Sequence, residues 1–187
     1  MFMIPFLRSG DPFMLVVGMT GVRLGDRIVQ VGCAHGGRLA AVAGKVGISG
    51  RAVAVVPDDA SAARVRKGAS EAGVLVEVEI APSTSLPLDS ATFDLAIVDD
   101  TARLLAEMPP EARAATVREA LRVLRPGGRA MVIGAVPRTG LGGLFSRAPE
   151  GPRLDPAPLL QADGFTRVRT LAEREGLVFV EGVKART

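Results

Sequence analysis

Four short apolar runs, separated by stretches with helical spacing, constrain the fold of this chain more than any other feature. The runs are rich in β-branched residues, which is typical of strands buried on both faces of a parallel sheet. They occupy residues 27–31, 52–56, 95–98 and 130–133. Strands and helices in this alternation predict right-handed crossovers and a doubly wound α/β sheet.

The stretches between these runs show how the helices are placed. Leu39, Val42, Ala43 and Val46 follow helical spacing, and residues 117–124 repeat that pattern. Residues 60–72 are rich in Ala, Arg and Lys and are followed by Gly73, a usual helix end. Valines alternate with glutamates over 74–81, which predicts a strand near the edge of the sheet.

The last part of the chain predicts an antiparallel pair of strands. Segments 166–171 and 177–183 alternate in polarity and are joined by five residues, too few for a parallel crossover. A Gly-, Pro- and Arg-rich segment at 136–158 precedes them and is expected to form a flexible loop. The predicted fold class is therefore α/β, with a mostly parallel sheet that ends in an antiparallel hairpin. We expect a single domain over 1–187.

Composition excludes several classes of protein. The net charge is only +3 and the chain has no Trp or Tyr, which argues against nucleic-acid binding. A single cysteine allows no intramolecular disulfide and predicts a reducing, cytoplasmic location.

The apolar segment 1–20 contains no uninterrupted run near the roughly 20 residues of a membrane span. We expect it to pack on the body of the protein or to provide a homo-oligomer contact.

Four motifs resemble the class I S-adenosylmethionine-dependent methyltransferases, in the style of the quinone-methylase-like, small-molecule branch. They are "GDRIVQVGCAHGG" at 25–37, "LPLDSATFDLAIV" at 86–98, "EALRVLRPGGRAMVIG" at 119–134 and "LLQADGFTRVR" at 159–169. The resemblance implies a seven-stranded sheet, S-adenosylmethionine as cofactor and a small-molecule methyl acceptor.

The same resemblance exposes departures at the cofactor positions. The family's acid on the first strand is replaced by Gln30, and the second glycine of its loop by Ala34. The family's acid for the ribose hydroxyls aligns with Val56, and its aspartate near the adenine aligns with Pro82. Asp58 and Ser83 are the nearby polar residues that could replace them. The cofactor-binding positions implied by the resemblance are Gly32, Cys33, Ala34, Gly36, Val56, Asp58, Ser83 and Asp99.

Three polar residues in or near the glycine loop could have either a functional role or a purely structural one. Asp99 follows the fourth strand at the edge where α/β sheets bind ligands, and it is either a pocket acceptor or a solvated cap of a helix over "TARLLAEM" at 101–108. Cys33 and His35 are two residues apart, so they rarely face each other as a nucleophile and base would. One Cys and one His are too few for zinc, and we predict no metal site and assign no catalytic residue.

Three functions compete on this basis. The first is methyl transfer from S-adenosylmethionine to a small molecule. The second is a catalytically silent relative that serves as a binding or oligomerisation module, which the loss of several cofactor positions favours. The third is dinucleotide binding, because Gly32, Ala34 and Gly37 have suitable spacing, although the acid expected about 20 residues further on is absent.

Overall fold

The computed structural model describes residues 13–136 and 154–186, which contain a central sheet flanked by helices. The strands are β1 (Arg27–Val31), β2 (Arg51–Val56), β3 (Glu77–Ile80), β4 (Phe93–Asp100), β5 (Leu124–Ala135), β6 (Thr166–Arg174) and β7 (Leu177–Val183). The helices are α1 (Met14–Thr20), α2 (Gly36–Val46), α3 (Asp59–Ala72), α4 (Pro110–Val123) and α5 (Pro156–Ala162).

The seven strands lie in the order β3-β2-β1-β4-β5-β7-β6. The strands β1 to β5 pair in parallel, and β7 is antiparallel to both β5 and β6. The predicted fold class is therefore confirmed, including the hairpin at the end of the chain and the edge position of β3.

Several predicted boundaries differ from the structure, and two of the differences change how a segment is interpreted. β5 begins at Leu124, so the Leu-Arg-Pro-Gly-Gly sequence belongs to the strand, and its register with β4 shifts at this point. α5 begins at Pro156, inside the segment expected to be a loop, because Asp155 caps its first turn by accepting from the Ala157 N–H. Residues 137–153 of that expected loop lie outside the described residues.

Apolar side chains cover both faces of the sheet. From β1, Val29 and Val31 join the cluster formed with α4 and α5, whereas Ile28 joins the cluster formed with α1 and α2. Alternate residues of one strand are thus buried against different helix layers, as a doubly wound sheet requires. α1 buries Val16 and Thr20, so this part of the apolar N-terminal segment packs on the body of the protein.

Helices α3 and α4 end in different ways. α3 ends at Gly73, whose φ of +65° is the left-handed conformation that glycine adopts easily, as the sequence predicts. α4 runs directly into β5 without such a glycine. The Lys184 ammonium instead donates to the carbonyl oxygens of Leu121, at 2.8 Å, and Leu124, at 2.6 Å.

Within residues 13–136 and 154–186, no helix has the length and apolar character to cross a bilayer.

Candidate functional site

A cavity of about 220 Å³ lies at the carboxyl ends of β1, β2 and β3. Strand order reverses between β1 and β4, and ligands of doubly wound sheets bind at such a reversal. The cavity walls are mostly apolar. The residues that line it are Gly32, Val55, Pro57, Ala81, Pro82, Ser83, Thr84, Leu104 and Met108.

Gly32 forms the floor of this cavity at the end of β1. Its φ is +77°, and its N–H donates to the Val55 carbonyl at 2.9 Å. A Cβ at this position would lie 3.0 Å from Leu104 Cδ2 and 3.3 Å from the Asp99 carbonyl oxygen. Both the backbone conformation and the close approach of the loop after β4 therefore require glycine here.

Asp99 joins the end of β4 to the glycine loop. Its side chain is buried, at 4% exposure, and its Oδ2 accepts from the Ala34 N–H at 2.9 Å. Its Oδ1 accepts from the Thr101 hydroxyl at 2.6 Å and from the Thr101 N–H at 3.2 Å. The expectation of a solvated helix cap is wrong, because the carboxylate is buried and residues 101–108 form turns instead of a helix.

Ala34 replaces a glycine of the family without strain. It is absent from the residues with positive φ, so its methyl group costs nothing in backbone conformation. Arg38 of α2 donates through Nη1 to the Thr101 hydroxyl at 2.9 Å, which places a guanidinium beside the Asp99 carboxylate. The glycine loop is thus held by a network within the protein.

Asp100, the neighbour of Asp99, fixes the next part of the same loop. Its Oδ1 accepts from the Leu105 N–H at 2.6 Å, and burial raises the pKa of Asp100. Arg113 of α4 donates to the carbonyl oxygens of Leu105 and Met108, each at 3.0 Å. These bonds hold the loop after β4 so that Leu104 faces Gly32.

The remaining residues of the glycine loop have structural roles. They are Gly36, Cys33 and His35. An added Cβ on Gly36 would collide with the Arg64 carbonyl oxygen, so this glycine allows α2 to pack closely on α3. Burial and the nearby Asp99 raise the pKa of Cys33 to about 11, so its thiol stays protonated at neutral pH and is a poor nucleophile. The His35 ring is exposed and lies 5.2 Å from the Phe13 ring, centre to centre.

The residues considered for the ribose do not meet in the cavity. Val56 is completely buried in the cluster with Leu39 and Val65, on the face of the sheet covered by α2 and α3. Asp58 caps α3 by accepting from the Ser61 N–H at 2.7 Å, and this hydrogen bond lowers the pKa of Asp58. The carboxylate is exposed and does not line the cavity.

Ser83, considered for the adenine, does line the cavity. Its hydroxyl shares a hydrogen bond of 2.9 Å with the Thr116 hydroxyl of α4. The sequence interpretation missed Pro57, Thr84, Leu104 and Met108. The last two lie within "TARLLAEM", where a helix was expected, and their signal was their place directly after a strand that ends at the ligand-binding edge.

These residues fit an adenosyl group in part. Proline and methionine side chains offer apolar surfaces for a purine, and Gly32 allows close approach to the backbone. No carboxylate from the described residues lines the cavity to accept hydrogen bonds from ribose hydroxyls. The volume is below the 300–1,000 Å³ typical of ligand pockets, and the Leu104 side chain is one of the groups that limit it.

Comparison with known proteins identifies the family. A family model described as a methyltransferase domain matches residues 28–128. The 27-O-demethylrifamycin SV methyltransferase of Amycolatopsis mediterranei (strain S699) is 30% identical over 114 residues, which are 61% of this chain and 40% of that protein. An uncharacterized 37.1 kDa protein of transposon TN4556 from Streptomyces fradiae is 35% identical over 107 residues, 57% of this chain and 29% of that protein.

Solved structures agree with the fold. A SAM-dependent methyltransferase from Aquifex aeolicus superposes with a TM-score of 0.72 at 19% identity, over 92% of this chain and 89% of that one. The chain spans less than half the length of the two curated relatives. Since the family model covers more than half of the chain, this protein belongs to the methyltransferase domain family, in the class I S-adenosylmethionine-dependent group whose cofactor is S-adenosylmethionine.

Proposed function

We propose that this protein transfers a methyl group from S-adenosylmethionine to a small-molecule acceptor. The observation that carries the proposal is the apolar cavity above Gly32, at the reversal of strand order in a methyltransferase sheet. The loops after β1 and β4 are fixed there by Asp99 and Asp100, which provides a preformed binding cleft.

The nature of the acceptor is supported by the relative from Amycolatopsis mediterranei, whose name gives a demethylrifamycin as its substrate. A modest net charge and apolar cavity walls are in keeping with a small acceptor that is not a nucleic acid. We further propose that residues 1–187 form a single cytoplasmic domain, in which the apolar segment 1–20 provides a contact for a homo-oligomer in addition to the packing of α1 on the body of the protein.

The chemical role of the chain would be to align the reactants and to exclude water. S-adenosylmethionine, when bound, supplies an electrophilic methyl group. Holding two reactants in line contributes a large part of the rate acceleration in such reactions. Pro57, Pro82 and Met108 would enclose the cofactor, whereas Leu104 limits the space above Gly32. The Ser83 hydroxyl is already bonded to Thr116, so we assign it no role as a base.

Calorimetric titration of the purified protein with S-adenosylmethionine and with S-adenosylhomocysteine tests this proposal. We expect saturable binding of both ligands. We expect no binding of a nicotinamide dinucleotide, which is the ligand predicted by the alternative hypothesis of dinucleotide binding. Absence of heat with both adenosyl ligands at millimolar concentration would contradict the proposal. Binding of the dinucleotide alone would favour the competing function.

A further inference from the structure

No acidic side chain of the described residues lines the cleft, and most of those nearby are bonded elsewhere. Asp58 caps α3, Asp99 holds Ala34, and Asp100 holds Leu105. Asp59 is exposed in the first turn of α3, and Glu107 lies 3.9 Å from Arg103 in an ion pair. None of these carboxylates lines the cavity.

Glu119 of α4, behind the Ser83 side of the cleft, is occupied in the same way. Its Oε2 accepts from the Leu86 N–H at 2.7 Å, and both carboxylate oxygens accept from the Arg122 guanidinium. Moving it to the cavity would break an ion pair and release the segment that carries Ser83 and Thr84.

The end of β2 presents an apolar wall to the cavity. Alternation along the strand turns Val55 toward the cavity and Val56 toward α2 and α3, and Pro57 continues the cavity wall. The polar side chains on the opposite wall are two hydroxyls, and the one on Ser83 is bonded to Thr116. A diol that enters this space meets no charged acceptor from the described residues.

We propose that this protein binds its adenosyl ligand by the shape and apolar surface of the cleft, without a charged acceptor for the ribose, so that ligands lacking both ribose hydroxyls bind nearly as well as those that have them. This inference rests on the proposed function. Because two charge-assisted hydrogen bonds correspond to roughly a hundredfold in affinity, a cleft with such an acceptor would discriminate strongly between the two kinds of ligand.

The test compares, by calorimetry on the full chain, the affinity of S-adenosylhomocysteine with that of its analogue lacking both ribose hydroxyls. We expect the two affinities to agree within about threefold, against the roughly hundredfold difference that a carboxylate acceptor produces. A hundredfold preference for the ligand with hydroxyls would overturn the inference and leave the proposed function intact. Absence of binding by either ligand would overturn both.

A second experiment asks whether an added carboxylate makes the protein prefer the ligand that has ribose hydroxyls. It uses Pro57, which is exposed and lines the cavity. The inference places the ribose beside this apolar wall at the end of β2. Pro57→Asp adds a carboxylate there, and Pro57→Asn is its neutral control of nearly equal size. We expect Pro57→Asp to prefer the ligand with hydroxyls by about tenfold more than Pro57→Asn does. Equal preferences in the two variants would overturn the placement of the ribose at this wall.

Discussion

Among the cavities lined by described residues, two lie at opposite ends of the sheet, and the larger of these two is not at the candidate site. The cavity at the amino ends of β2 and β3 measures about 490 Å³, against about 220 Å³ at the carboxyl ends. Ile48 and Leu75 border the larger cavity and are 99% and 86% exposed. Its charged groups are Arg51 and Glu77, which form an ion pair at 2.7 Å.

The two cavities differ in what converges on them. At the amino end, the wall comes from the end of α2, the residues after α3 and the starts of β2 and β3. At the carboxyl end, a single carboxylate, Asp99, joins segments 65 residues apart by bonding to Ala34. Convergence of loops from several strands at the reversal of strand order marks the binding end of the sheet, and cavity volume does not.

The largest difference between the two cavities is expected when one glycine in each is replaced by alanine and stability and ligand affinity are measured. Gly32→Ala should lower the free energy of unfolding by about 2–4 kcal/mol, because the left-handed backbone and the contact with Leu104 both oppose a Cβ. Its affinity for S-adenosylhomocysteine should fall at least tenfold.

Gly44→Ala is the matched control in the other cavity. Gly44 lies within α2, and its added Cβ would meet only Val74 Cγ1 at 3.5 Å, an ordinary contact. We expect a gain of about 0.5–1 kcal/mol in urea unfolding and unchanged ligand affinity. Equal effects of the two substitutions would remove the distinction between the cavities.

A smaller effect should come from Leu104→Ala, which opens the cavity above Gly32. Complete burial of a leucine is worth roughly 1.5–3 kcal/mol, so displacing the half-buried Leu104 costs about 1 kcal/mol. Calorimetry should show five- to tenfold tighter binding of S-adenosylhomocysteine. Ile48→Ala, at the amino-end cavity, should leave binding unchanged. Weaker binding by Leu104→Ala would show that this side chain contacts the ligand instead of limiting its entry.

The smallest effect concerns the pH dependence of stability at the carboxyl end. Because burial raises the pKa of Asp100, the folded protein holds this proton more tightly than the unfolded chain does. The wild type should therefore lose stability relative to Asp100→Asn as pH rises from the ordinary aspartate pKa through the raised one. The asparagine oxygen can still accept from the Leu105 N–H, so the variant keeps that bond.

Glu119→Gln is the control of opposite sign. The hydrogen bond from Arg122 lowers the pKa of Glu119, so its contribution is present above the ordinary glutamate pKa and is lost as pH falls through the lowered one. Urea unfolding from acidic to neutral pH gives the free energy of unfolding of wild type minus that of each variant. This difference should fall with rising pH for Asp100→Asn and increase with rising pH for Glu119→Gln. A stability difference between Asp100→Asn and wild type that does not change with pH would contradict the assignment.

Local patterns predicted the strands well and the loops poorly. β1 and β7 match their predicted bounds because strands that are buried along most of their length are written as short, mostly apolar runs. The segment after β4 was expected to be a helix capped by Asp99. Asp100 and Arg113 instead bind its backbone groups and satisfy them in turns, a tertiary arrangement that no local pattern reveals.

The candidate site was predicted only in outline. Of the cofactor-binding positions predicted from the sequence, Gly32 and Ser83 line the cavity, because strand ends and their loops are recognisable. It could not show that Val56 faces away from the cavity or that Asp58 caps its own helix. The direction of a side chain at a strand end and the partner of a carboxylate depend on residues distant in sequence.

The sequence by itself determined the layered α/β architecture, the family and the edge of the sheet at which a ligand is expected, because the periodicity of apolar residues and the glycine turn are local properties of the chain. Only the tertiary structure decided which polar groups remain available in the cleft. Each carboxylate can bind a ligand or hold the fold, and contacts across the sheet commit Asp99 and Asp100 to the fold.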